Sequence, residues 1–145
     1  MVVVAVLGWG FVAGLVNSAA MVLLYLSPWV KRIHAAHAAV ATHSAVGGAV
    51  REAPERPHSL ARQFLGTQVE VYIMTIGFAW LFPTPGVTGL EGAMLLAILF
   101  GALRVVAPVW ALWEQGTYSR GYLAVEITSG LLGSIVVVLT LYLLM

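Results

Sequence analysis

Four long apolar stretches, residues 2–27, 64–82, 90–113 and 121–145, leave this chain few ways to fold. Each reaches or approaches the roughly 20 residues that cross ~30 Å of hydrocarbon at the rise of an α-helix. In lipid, every backbone N–H and C=O must find its partner inside the protein, so only helices and closed barrels span. Barrel strands alternate apolar and polar residues, and these runs do not alternate. The expected fold is all-α: a transmembrane four-helix bundle, with residues 1–145 forming a single membrane domain. Composition agrees. The chain is 61% hydrophobic and 9% charged, against about 25% charged in soluble domains. It has no cysteine, which excludes disulfides and thiolate metal sites.

The charges are unevenly placed. Lys31, Arg32, Arg51, Arg56 and Arg62 fall between spans one and two, and Arg120 between spans three and four. The 83–91 connection, PTPGVTGLE, has no basic residue. By the positive-inside rule, both termini lie outside and the 28–63 loop is cytoplasmic, in a bacterial-type inner (plasma) membrane. The first run has no basic leader, and its length exceeds the usual ~7–15 residues of a signal-peptide core, so it reads as a retained anchor.

Span one closes on YLSPW, where Pro28 interrupts the helix and Tyr25 and Trp29 suit the membrane interface. The alanine-rich half of the loop that follows is expected to form a short interfacial helix. Gly47-Gly48, Pro54 and Pro57 break it. Ser59 is the expected N-cap of span two. PTPG and EQGTYSRG are tight turns, which make spans two, three and four antiparallel neighbours.

Three charges lie inside the spans: Glu70, Arg104 and Glu126. Glu70 is about 6–8 residues into span two, or roughly 10 Å at the helical rise. Glu126 lies at a similar depth in span four, and Arg104 reaches the same level by snorkelling. Small residues mark helix–helix faces in membranes, because they let backbones approach. Gly66, Glu70 and Gly77 share a stripe on span two. Ala93, Ala97, Gly101, Arg104 and Pro108 share one on span three, and Glu126, Gly130 and Ser134 on span four. Span one carries Gly10, Gly14 and Ser18, with Asn17 beside them. Each charge sits on the small-residue stripe of its helix, so Arg104 is expected between Glu70 and Glu126. Such a cluster serves either as structural glue or as an ion or proton path. Pro108 leaves a carbonyl near Arg104 without its helical partner, which favours a kink.

All four histidines, His34, His37, His43 and His58, lie in the loop. His34 and His37 share a helical face and are weak candidates for a metal site. The expected role of this segment is instead to place Lys31 and Arg32 among lipid headgroups. No enzyme motif is present: GWG and GGA lack the strand–turn–helix context of a phosphate loop. No nucleic-acid partner is expected, because no basic stripe lies outside the loop, and no cofactor is implied.

The stretches LLYLSPW and LRVVAPVWALWEQGTYSRGYLAVEITSGLLGSIVVVL resemble a bacterial family of small four-span membrane proteins of unknown function. In that family the first span closes on a Tyr-Ser-Pro-like signature; here Leu26 separates Tyr25 from Ser27. The likeness covers about half of the chain. It implies the four-span fold and brings no activity with it, and the long histidine-rich loop departs from the pattern. Small multidrug exporters are similar in size, but their substrate acid lies in the first span, and span one here has no acid. The leading expectation is a non-enzymatic protein acting by association, as an accessory subunit of a larger membrane complex or as a homo-oligomer. Its partners are then the lipid bilayer and other membrane subunits or itself. The alternative is a small proton or ion channel or carrier using Glu70, Arg104 and Glu126.

Overall fold

The computed structural model describes residues 2–45, 60–115 and 118–145. It is all-helical. The elements are α1 (Val2–Leu26), α2 (Pro28–Ala45), α3 (Leu60–Leu81), α4 (Gly89–Gly101), a π-helical turn (Ala102–Val106), α5 (Ala107–Gln115) and α6 (Arg120–Leu144). Four helical segments are long and apolar enough to cross a membrane: Val4–Leu26, Phe64–Leu81, Gly89–Glu114 and Arg120–Leu144. These match the four apolar runs, and the chain is a multi-pass membrane helix bundle. Span three is composite, with α4, the π turn and α5 in series.

The breaks between helices follow local chemistry. Ser27 ends α1 and caps α2, its hydroxyl accepting from the Val30 N–H at 3.4 Å. Pro28 then occupies the first position of α2, where a missing N–H costs nothing. Ser119 caps α6 in the same way, accepting from the Tyr122 N–H at 3.3 Å. The turn between α3 and α4 is tied by Thr84 N–H to Leu81 O and Val87 N–H to Thr84 O, each 3.0 Å. Gly86 within it has φ +91°, a conformation other residues rarely adopt. The alanine-rich loop segment is helical through Ala45 and packs on α1 and α6, with Val30 buried. Ser59, expected to cap span two, lies outside the described residues, as do Arg51, Glu52, Glu55, Arg56 and His58.

Helix α6 is the centre of the bundle and packs against α1, α3 and span three. Its small residues make this possible. A Cβ at Gly130 would fall among the Val105 methyls, and one at Gly101 would sit 2.6 Å from Leu131. Ser134 is fully buried. Its hydroxyl bonds to the Gly130 carbonyl of its own helix at 3.0 Å, so it demands no partner across the interface. On the other side, Gly10 of α1 receives the Tyr72 ring, and Gly14 receives the Gln68 amide. The core near the 82–88 turn is built from Ala13, Val71, Met74, Phe78, Leu96, Val137, Val138 and Leu141. Phe82 is T-shaped against Tyr142 and stacked on Phe78. A second, smaller core of Val105, Val109 and Leu123 lies toward the other end. The outer faces carry Leu, Ile and Trp, Trp80 and Leu143 among them, as lipid requires.

Spans two and three are antiparallel, as their short turn dictates, yet they separate. Near the turn, Phe100 packs on Gly77. Apart from that contact, the described residues of α3 share no extended packing with any part of span three, α4 included. Spans two and three are therefore not packed neighbours, contrary to the expectation from their short turn; both pack on α6, and the gap between them opens the interior of the bundle.

Candidate intramembrane site

Between these separated helices lies a partly open cavity of about 990 Å³, in the half of the bundle nearer α2. All four spans line it. Asn17, Met21 and Tyr25 come from α1; Phe64, Gly66 and Glu70 from α3; Arg104, Val105 and Pro108 from span three; Glu126, Ser129 and Gly133 from α6. The three charges inside the spans therefore face one space. Arg104 and Glu70 form an ion pair, Nη2 to Oε2 at 2.5 Å, across the gap between α3 and span three.

Glu126 does not complete the expected triad. It lines the same cavity, but among the described residues the only intramembrane ion pair within 4.0 Å is Arg104–Glu70. Glu126 instead contacts the Tyr122 hydroxyl one turn earlier on α6. The Glu126 backbone carbonyl accepts from Ser129 Oγ at 3.1 Å, and Ser129 Oγ lies 3.3 Å from the Tyr25 hydroxyl. Thr128, next to Ser129, is exposed on the outer face and bonds to the Ala124 carbonyl of its own helix.

The π turn places Arg104. The Ala107 N–H reaches back five residues to the Ala102 carbonyl, one more than in an α-helix. The cause is Pro108. Its ring would press on the carbonyl four residues back, that of Arg104 itself, and it has no N–H to offer there. A widened turn moves that carbonyl away. Arg104 thus lines the cavity from within the widened turn, and π turns are frequent at functional sites.

Several buried polar atoms have no protein partner. Asn17 is 1% exposed and its Oδ1 is unbonded; Arg104 Nη1 is likewise unbonded. The two flank Gly133: a Cβ there would lie 3.0 Å from Asn17 Oδ1 and 3.7 Å from Arg104 Nη1. An acceptor and a donor, both buried, thus lie close to Gly133, and all three residues line the cavity. Gln68, 6% exposed, leaves both amide atoms unbonded against Gly14. A buried amide without partners costs about 1–3 kcal/mol, so these groups mark where polar chemistry enters the bundle. At the α2 end, the His34 ring sits 5.7 Å from Tyr25 and 5.3 Å from Tyr122, between α1 and α6.

The sequence-derived candidates divide clearly. Gly10, Gly14, Gly77, Gly101 and Gly130 are close-approach points. Gly66 is not: a Cβ there meets nothing within 4 Å, and the residue lines the cavity instead. Ser18 lines it too. Lys31 and Arg32 are exposed on α2. His34 is packed between two tyrosines. The side chains of His37 and His43 lie outside the described residues, and among those described no three His, Asp or Glu residues converge on one point. Sequence reasoning missed Tyr25 and Phe64 as cavity residues and Tyr122 as the partner of Glu126. Asn17 carried a usable signal, as the only amide in span one. No protein-family model, no curated protein and no solved structure matches the chain.

Proposed function

We propose that the chain is a non-enzymatic membrane protein that moves a small charged species, protons included, by way of this cavity. The observation that carries the reading is that one space of about 990 Å³ gathers Glu70, Arg104 and Glu126 from three different spans. Glue alone needs no such volume, since ionic groups that only fix helix register pack against one another. Here Glu70 and Arg104 pair, and Glu126, in contact with the Tyr122 hydroxyl, lines the same space outside that pair. Ionisable groups within membrane spans mark ion and proton routes.

Purified protein in liposomes under an imposed pH gradient tests this. Proton flux above that of empty liposomes is expected, and Glu126→Gln is expected to lower it at least tenfold. Flux that ignores Glu126→Gln removes that residue from the route. No flux from the native chain sinks the reading.

Association is the second reading, and Glu70 favours it. Its side chain is 49% exposed at the gap between α3 and span three. A charge in lipid costs ~2.5–3.5 kcal/mol on insertion scales, so a second copy or a partner helix laid over the gap gains by covering it. A mass of two or more chains in mild detergent is its expected sign, and a monomer throughout counts against it.

The charge bias supports an orientation with both termini outside and the 28–63 loop cytoplasmic, in a bacterial-type inner membrane. Single cysteines replacing Thr88 and Ser44 report on it. An impermeant thiol reagent applied to intact cells is expected to label position 88 and spare 44. The reverse pattern inverts the topology.

A further inference from the structure

We infer that the cavity is a binding site for a small amphipathic organic cation. The inference rests on the carrier reading above and names the class of its solute. Size comes first. A proton or a bare metal ion needs a narrow polar path, whereas about 990 Å³ is at the upper end of the ~300–1,000 Å³ of pockets that hold drug-sized molecules. The walls between the polar groups are apolar, Met21 and Phe64 among them, as such pockets require. Charge comes second. Two carboxylates and one guanidinium line the space, and the Arg104–Glu70 pair cancels internally, so the residual charge is the negative charge of Glu126. A cationic guest neutralises it; an anionic guest adds to it.

The independent observation is Asn17, 1% exposed, with an unbonded Oδ1 beside the unbonded Nη1 of Arg104. Both adjoin Gly133, seven residues after Glu126 on the same face of α6. At the helical rise that separation is roughly 10 Å. The site thus has a carboxylate at one end, apolar walls between, and an acceptor–donor pair at the other end that suits a hydroxyl or amide. The matching ligand has an ammonium head, an apolar body and a terminal hydroxyl or amide.

Titration calorimetry on the full chain in detergent tests this with hexyltrimethylammonium, 6-hydroxyhexyltrimethylammonium and hexanesulfonate. Both cations are expected to bind saturably, at least tenfold more tightly than the sulfonate. The hydroxylated cation is expected to bind more tightly than the plain one, and Asn17→Ala to abolish that difference. Glu126→Gln is expected to weaken both cations at least tenfold. Gly66→Trp puts a large ring on a cavity-lining position whose Cβ site is open, and is expected to obstruct binding with folding retained. Equal affinity for cation and sulfonate, preference for the sulfonate, or binding untouched by Gly66→Trp each overturns the inference. The charge comparison uses the native chain, so it decides even if Glu126→Gln fails to fold. Cation binding without flux in liposomes overturns only the carrier reading. Proton flux without cation binding overturns only this inference.

Discussion

Arg104→Ala is expected to destabilise the bundle by about 3 kcal/mol or more, because it leaves Glu70 as an unanswered carboxylate inside the span. The 49% exposure of Glu70 does not soften this greatly, since much of what surrounds the outer face of a membrane helix is hydrocarbon, not water. Glu70→Gln added to Arg104→Ala is expected to recover most of the loss, because it removes the charge while keeping the shape. Glu126→Gln added to Arg104→Ala is expected to recover little, because Glu126 is not in the ion pair. Unfolding of the purified protein by increasing fractions of sodium dodecyl sulfate in mixed micelles gives the energies, and the two double mutants form the comparison. Rescue by Glu126→Gln alone would sink the pairing, and so would an Arg104→Ala protein as stable as the native chain.

The four spans were legible because length and apolarity are the physics of crossing a bilayer, and both are written locally. The α2 helix was legible from its alanines and from Pro28, which marks its start. That Glu70, Arg104 and Glu126 come to one level and line one cavity was legible too, since level is a count of residues along a helix of known rise. Which of them would pair was not. A stripe drawn at 3.6 residues per turn assumes an uninterrupted α-helix, and the π turn at Ala102–Val106 adds a residue to one turn of span three. One residue is about 100° of rotation, so positions past that turn move relative to the stripe. Proline at 108 raised the prospect of a kink, but it did not specify whether the chain would bend, break or widen. The cavity was equally out of reach. It exists because α3 and span three stay apart, sharing no extended packing among the described residues, and separation of two helices is a tertiary outcome with no local pattern. This is also why Gly66 misled: its spacing on span two matched a packing stripe, while the helix it was expected to meet had moved away.

Gly92 makes the opposite case, and Gly92→Ala is expected to cost about 3 kcal/mol. Nothing in its spacing singles it out, yet it is buried where α4 leaves the turn. A Cβ there would meet the carbonyl oxygen and carbon of Val87 and stand 2.9 Å from its Cα. These are backbone atoms, held by the Val87 N–H bond to the Thr84 carbonyl, so no side-chain rotation relieves the clash. Overpacking in a close-packed core costs about 1–3 kcal/mol even where neighbours yield, and here the neighbour is the turn that sets the angle between spans two and three. Gly66→Ala is the internal control. It adds the same methyl to open space and gains up to about 1 kcal/mol of helix propensity, so it is expected to be neutral or slightly stabilising. The same micellar unfolding measurement ranks the two. If Gly92→Ala is no less stable than Gly66→Ala, the tight seat of α4 on the 82–88 turn is wrong, and with it the geometry that opens the cavity farther along.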